Sequence, residues 1–233
     1  MDKVTDMHRF LFPALFALCA ALATGCVTGG FSDGDYGKVS HQNYDRGAFN
    51  KRIDFNNVNY TLLNAAVFYE TNRARARAGL KPFEHSPVLG RASAAHSRDM
   101  VDHDFYGHDS PVRGRRTLED RLTVEGLKGA LASENVGWAF GLEYEPGREV
   151  FNPEQNGGYW SYSYKGPPIP PRTYAGMARF IVAFWMNNPA DRGNITNPGF
   201  THLGVGSAQY EKPELPGMPH LKFTQNFANR GGN

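Results

Sequence analysis

The stretches "HLGVGSAQY" (His202–Tyr210) and "HLKFTQNF" (His220–Phe227) decide the fold. In the second, Leu221, Phe223 and Phe227 alternate with Lys222, Thr224 and Asn226. A period of two is the signature of a strand. Gly204 and Gly206 in the first stretch predict that another backbone or side chain comes close to the strand there. The connector "EKPELPGMP" (Glu211–Pro219) carries Pro213, Pro216 and Pro219. Prolines cannot donate to a ladder, so the chain must turn, and the two strands are expected to pair antiparallel.

Upstream of the strands the apolar period becomes helical. In "TYAGMARFIVAFWMN" (Thr173–Asn187), Met177, Phe180, Ile181, Phe184 and Trp185 recur at i, i+3, i+4, i+7 and i+8. This predicts a helix buried along one broad stripe, ended by Pro189. Ser86 and Pro87 suit the N-cap and first position of a helix running through "VLGRASAAHSRDMVD" (Val88–Asp102). Leu89, Ala92, His96 and Met100 share its stripe, so His96 is expected in the core with a satisfied nitrogen. Another helix is predicted over about 59–78, on the spacing of Leu63, Ala66, Val67, Thr71, Ala74 and Ala78, with Gly79 at its end. Arg73, Arg75 and Arg77 are read as its solvated face. Thr117 and Asp120 form a capping-box-like start for a short helix closed by Gly126. Helices combined with antiparallel strands give the α+β class.

The first residues read differently. Lys3 and Arg9 precede the apolar run Phe10–Ala23, and "TGC" follows, ending at Cys26. The run falls short of the roughly 20 residues that span a bilayer, so it reads as a signal peptide over 1–25. "LATGC" resembles the bacterial lipobox, which makes Cys26 the expected lipidation site and a membrane the expected partner. The remaining cysteine, Cys19, lies in the leader, so the mature chain is expected to have no internal disulfide. Residues 26–57, rich in Gly, Ser, Asp and Asn, read as a tether whose Phe31, Tyr36, Tyr44 and Phe49 dock in part on the domain. The domain is expected over 58–230. Within it, 141–173 holds several prolines and the aromatics Tyr144, Phe151, Tyr159, Trp160, Tyr162 and Tyr164, and reads as a rigid connector or a partner-binding loop. A formal net charge of +2, with scattered basic residues, gives no argument for nucleic acid as a partner.

Three local clusters can carry chemistry: His108 in "DFYGHDSP", Glu134 in "ASENVGW" and Asp191 in "NPADRGN". One imidazole and two carboxylates suit either a divalent metal or an acid–base pair. Spacing alone does not bring them together. Ser110 lies two residues from His108, but no nucleophile elbow surrounds it. Asp191 can also serve as a helix cap for "RGNI" after Pro189, with Arg192 as its surface neighbour.

Taken in order, "NRARARAGLKPF", "LGRASAAHSRDMVDHDFYGHDSP", "RTLEDRL", "SENVGWAF", "FWMNNPADRGNITNPGFTHLGVG" and "KFTQNF" resemble the bacterial branch of the CAP superfamily, the SCP domain of cysteine-rich secretory proteins, antigen 5 and pathogenesis-related proteins. The resemblance covers roughly 62–227, and 141–173 looks like an insertion. It implies an α-β-α sandwich, with helices on both faces of a small antiparallel sheet, and a central cleft. In many members two histidines and two glutamates line that cleft and hold zinc. Here the first histidine falls on His108 and the first glutamate on Glu134, in Ser133-Glu134-Asn135. The second glutamate position is Asn188, and the second histidine position is Asp191. A charged, shorter carboxylate in place of an imidazole weakens the case for zinc.

Two readings of function follow. The first is a non-catalytic binding module of the cell envelope, exported and lipid-anchored at the outer membrane. It would take a lipid-like or protein ligand in a cleft formed by His108, Glu134, Asn188 and Asp191. The alternative is a metal-dependent hydrolase or peptidase, with His108 and Glu134 catalytic and His108, Glu134 and Asp191 holding zinc or another divalent ion. A structural envelope protein, its insertion docking a partner, is a third.

Overall fold

The computed structural model describes residues 31–232, so the expected signal peptide and Cys26 lie outside the described residues. The elements run in the order α1 (Tyr60–Arg77), β1 (Glu84–His85), α2 (Pro87–Asp102), α3 (Leu118–Val124), β2 (Ala132–Phe140), α4 (Pro153–Asn156), α5 (Tyr174–Asn187), α6 (Pro189–Ile195), β3 (His202–Tyr210) and β4 (His220–Ala228). The sheet has strand order β1-β3-β4-β2. β3 and β4 pair antiparallel, as do β2 and β4, while the two-residue β1 adds a parallel bridge to β3.

Helices cover both faces of this sheet, giving an α-β-α sandwich. On one face, Leu221, Phe223 and Phe227 of β4 and Leu203 and Val205 of β3 join α1 and α5 in the main core. Trp185 is fully buried there, and its Nε1 donates to Val136 O at 2.9 Å. On the other face α2 lies directly on β3. A Cβ at Gly204 would stand 2.1 Å from Leu89 C, and one at Gly206 would stand 2.0 Å from Ala94 N. The two glycines are what let the helix backbone come so near. Thr224 and Asn226, the polar side of β4, are also fully buried under α2. Ser97 Oγ is 2.9 Å from Thr224 Oγ1, so the alternation separates an apolar layer from a hydrogen-bonded polar one.

The caps of α1, α2, α3 and α5 are Asn59, Ser86, Thr117 and Thr173, each accepting a backbone N–H through its side chain. Four expectations need correction. The stripe of α5 is Tyr174, Met177, Ala178, Ile181, Val182 and Trp185, and Phe184 is exposed. Arg75 is not solvated but 2% exposed. It donates to Ile195 O at 2.7 Å and Asn197 O at 3.0 Å, satisfying carbonyls at and just past the end of α6, and to Lys81 O at 2.8 Å in the connection from α1 to β1. Arg73 is also tied down, to Asp45 at 3.1 Å and Glu70 at 3.3 Å. Finally, Pro189 does not simply end a helix: it is the first residue of α6.

The segment read as a tether is packed from Phe31 onward and belongs to the same compact unit as the rest. Tyr36, Tyr44, Phe49 and Ile53 are buried in the main core. Tyr36 stacks on His85 at 3.5 Å, and Tyr44 Oη donates to Glu70 at 2.8 Å. The 141–173 segment folds around a small core of its own, in which Leu142, Trp160 and Ile169 meet Met218 from the β3–β4 connector. Trp160 Nε1 donates to Pro216 O at 2.9 Å. Its aromatics therefore serve first to order the segment.

Candidate functional site

Glu134 is the centre of the polar layer under α2. Alternation along β2 turns Ser133 and Asn135 toward α6 and Glu134 toward α2 and α3. Ser133 Oγ donates to Asn194 Oδ1 at 2.8 Å, and Asn194 Nδ2 donates to Asn135 Oδ1 at 2.8 Å. Asn135 Nδ2 donates to Asp191 O at 3.1 Å. These bonds fix α6 against the start of the strand.

On the opposite face both oxygens of Glu134 are engaged. Arg121 Nη2 donates to Oε2 at 2.8 Å, and His108 Nδ1 lies 3.0 Å from Oε1. Asn226 sits directly across the ladder. Its amide is satisfied when Nδ2 donates to Glu134 Oε2 at 3.0 Å and its oxygen accepts from Ser93 Oγ at 3.1 Å. His96 Nε2 is 3.6 Å from Oε1 and 2.9 Å from Gly107 O, which accepts its proton. Its Nδ1 has no hydrogen-bond partner. Arg121 is almost wholly buried and also donates to Arg116 O at 2.8 Å and His108 O at 3.1 Å. One guanidinium thus holds both the carboxylate and the loop that carries His108. Asp99 anchors the same loop through Arg115 at 2.7 Å and Ser110 at 3.1 Å.

The electrostatics follow from these contacts. The hydrogen bond to Glu134 raises the His108 pKa above its ordinary value, against some burial. Burial lowers that of His96, opposed by the charge of Glu134. Burial raises that of Asp191, opposed by the charge of His108.

His108 and Glu134 thus meet, as the resemblance implied. Asp191 lies close enough to feel His108, but it makes no ion pair among the described residues. Nor does it cap α6: Asn188 does, its Oδ1 accepting from Ala190 N at 2.9 Å and Asp191 N at 3.3 Å. With Pro189 at the first helical position, the N-cap falls one residue earlier in the chain, on Asn188, and Asp191 is carried into the first turn. Arg192 does not pair with Asp191 either; it donates to Met186 O at 3.0 Å.

His108, Glu134 and Asp191 do not fit a divalent ion as they stand. Both oxygens of Glu134 already accept hydrogen bonds from Arg121, Asn226 or His108, and the buried Arg121 guanidinium supplies the positive charge beside that carboxylate. Among the described residues no three His, Cys, Asp or Glu side chains converge on one point. Ser110, buried and bonded to Asp99, offers no nucleophile to His108.

Sequence reasoning missed Arg121 and Asn226. A signal existed for each. Arg121 falls three residues after Leu118 and next to Leu122, on the apolar side of its helix. Asn226 shares its strand face with Thr224.

A model of the cysteine-rich secretory protein family (CAP) matches residues 68–227. The chain is 29% identical over 136 residues to the uncharacterized protein YkwD of Bacillus subtilis (strain 168), covering 58% of this chain and 38% of that one. It is 24% identical over 160 residues to the uncharacterized membrane protein YlbC of the same organism, covering 69% of this chain and 32% of that one. It therefore spans well under half the length of these relatives. Among solved structures it is similar to an extracellular protein containing an SCP domain from Bacillus anthracis str. Ames, at 25% identity and a TM-score of 0.49, covering 73% of this chain and 41% of that one. It is also similar to an outer surface protein from Borrelia burgdorferi, at 14% identity and a TM-score of 0.46, covering 77% of this chain and 98% of that one.

Proposed function

The chain belongs to the cysteine-rich secretory protein family (CAP), and from that premise we propose that it is an exported, non-catalytic binding module of the cell envelope. Its ligand, lipid-like or protein, is expected on the surface beside His108 and Asp191, where the family resemblance puts a cleft. One observation carries this reading: both oxygens of Glu134 are bonded to Arg121, Asn226 and His108, so the carboxylate is a structural anchor. The buried Arg121 guanidinium already compensates its charge and each oxygen already carries a donor, which disfavours a metal ion or a substrate proton in their place. Export is supported by the basic start and apolar run of residues 1–25, and lipid attachment at Cys26, with an outer-membrane destination, by "LATGC". The family's secretory members are consistent with that route.

The hydrolase reading keeps one supporting observation. His108 is exposed with its Nδ1 anchored on a carboxylate, which is how a base is oriented. Metal loading decides between the two. The full chain carrying Cys26→Ser is incubated with zinc, desalted and analysed by mass spectrometry. The binding reading expects sub-stoichiometric zinc that His108→Ala does not change. Stoichiometric zinc lost in Asp191→Ala would sink it in favour of the hydrolase. The same Cys26→Ser change should release the protein from membranes; retention would refute the lipid anchor.

A further inference from the structure

Beyond Glu134, the same sheet face carries a row of rings around the Lys222 ammonium. Glu134, Val136, Trp138 and Phe140 alternate along β2 and stand opposite Asn226, Thr224, Lys222 and His220 of β4. α2 covers the first two of these pairs through Ser93 and Ser97, and it ends at Asp102. Past that end the face is open. Trp138 is 39% and Tyr106 48% exposed.

The Lys222 ammonium lies 4.9 Å from the centre of the Tyr106 ring and 5.0 Å from that of Tyr210. Tyr106 is held in place by its hydroxyl, which donates to Val136 O at 3.3 Å. Lys222 is half-buried, and among the described residues no carboxylate comes within ion-pair distance of it. Asp104 is the acid whose charge it feels, and Lys212 adds a second positive charge nearby. Trp138 and Phe140 meet edge to face at 5.3 Å, and Phe140 touches Tyr144 at 5.6 Å and His220 at 5.0 Å. His220 is 1% exposed, and its Nδ1 has no partner.

A half-buried ammonium with no carboxylate in ion-pair contact is costly, and two ring faces and the more distant Asp104 compensate only in part. A bound anion would meet the remaining deficit. The surrounding rings say what the anion is attached to. An acyl chain on an open platform would keep one side in water and lose much of the gain from burial. A sugar ring has an apolar face to lie on an aromatic and a hydroxyl rim that stays hydrated, which suits rings half covered and half wet. We propose that Lys222, Trp138, Tyr106 and Phe140 form a binding site for a carboxylate-bearing saccharide, with its acid group on Lys222 and its rings on the aromatics. The site adjoins the His108–Glu134 pair and does not depend on it.

Calorimetric titration of the full Cys26→Ser chain with oligogalacturonate, and with its methyl ester, tests this. The free acid should bind saturably, and the ester should bind at least about ten-fold more weakly, since the charge-assisted contact is gone. Lys222→Gln should weaken the acid to a similar degree, Lys222→Arg should restore most of the affinity, and Trp138→Ala should weaken acid and ester alike. Thermal melting confirms that each variant is folded, and Lys222→Arg serves where Lys222→Gln is not. No binding of the acid, equal affinity for acid and ester, or affinity indifferent to Lys222 overturns the proposal. So does Lys222-dependent binding of palmitate without any of the saccharide. Because zinc loading does not read this surface, either proposal can fail without the other.

Discussion

Arg121 Nη2 stands 2.8 Å from Glu134 Oε2, and both side chains are shut off from water. Removing one partner leaves the other as an uncompensated buried charge. Glu134→Gln and Arg121→Met are each expected to cost about 3–5 kcal/mol, and the double variant less than the sum. Urea denaturation of the four proteins measures this. Strictly additive losses would show that the two groups do not depend on each other.

The histidines set the pH response in opposite senses. The pKa of His108 is raised in the fold, so its contact with Glu134 contributes fully below the ordinary 6.5 and is lost as pH rises through the higher folded value. The pKa of His96 is lowered by burial, so acidification below 6.5 costs stability, because the unfolded chain takes up that proton first. The stability gap between wild type and His108→Gln should therefore be wider on the acid side of 6.5 than on the alkaline side. Thermal unfolding across pH measures the gap, and an NMR titration of the His108 ring should give a midpoint above 6.5.

The close approach of α2 to β3 makes Gly204 and Gly206 intolerant. A methyl group at either would meet helix backbone, which cannot swing aside, so Gly204→Ala and Gly206→Ala should each cost about 3 kcal/mol or more. Gly193, inside α6 with nothing near its missing Cβ, should behave oppositely, gaining about 0.5–1 kcal/mol as alanine. Chemical denaturation of the three variants orders them. A tolerated Gly206→Ala would mean that α2 stands further from the sheet.

The N-terminal arm should be needed for stability. A chain beginning at residue 58 leaves Tyr69 and Phe68 without Tyr36, Tyr44 and Phe49. It is expected to melt at a lower temperature and to bind a hydrophobic dye. Within the full chain, Tyr44→Phe removes the hydrogen bond to Glu70 and should cost about 1 kcal/mol. A shortened chain as stable as the full one would restore the reading of residues 26–57 as a tether.

The strands at 202–210 and 220–228 and the helix starts at Ser86, Thr117 and Thr173 were legible because each depends on neighbours a few residues away: alternation, a cap, a proline. The same local logic failed at Asp191. Choosing between Asn188 and Asp191 as the cap of α6 depends on where α5 lets go of the chain. It failed at Arg75, whose acceptors include the end of α6, and in part at Phe31–Asn57, whose aromatics pointed to docking but whose polar composition hid how far the segment packs into the main core. His108 and Glu134 stood out as candidate groups from the residues themselves, but only the family resemblance put them in one cleft; their spacing alone could not show that a loop folds back to join them.

By itself, then, the sequence determined the α+β elements, their periodicities and the two ends of the His108–Glu134 contact. The tertiary structure decided what surrounds that contact. Glu134 is engaged on both oxygens because β4 places Asn226 across the ladder and α3 brings Arg121 in from another layer. Whether a carboxylate is a base, a metal ligand or an anchor depends on which of its lone pairs remain free, and that is settled by groups distant in the chain.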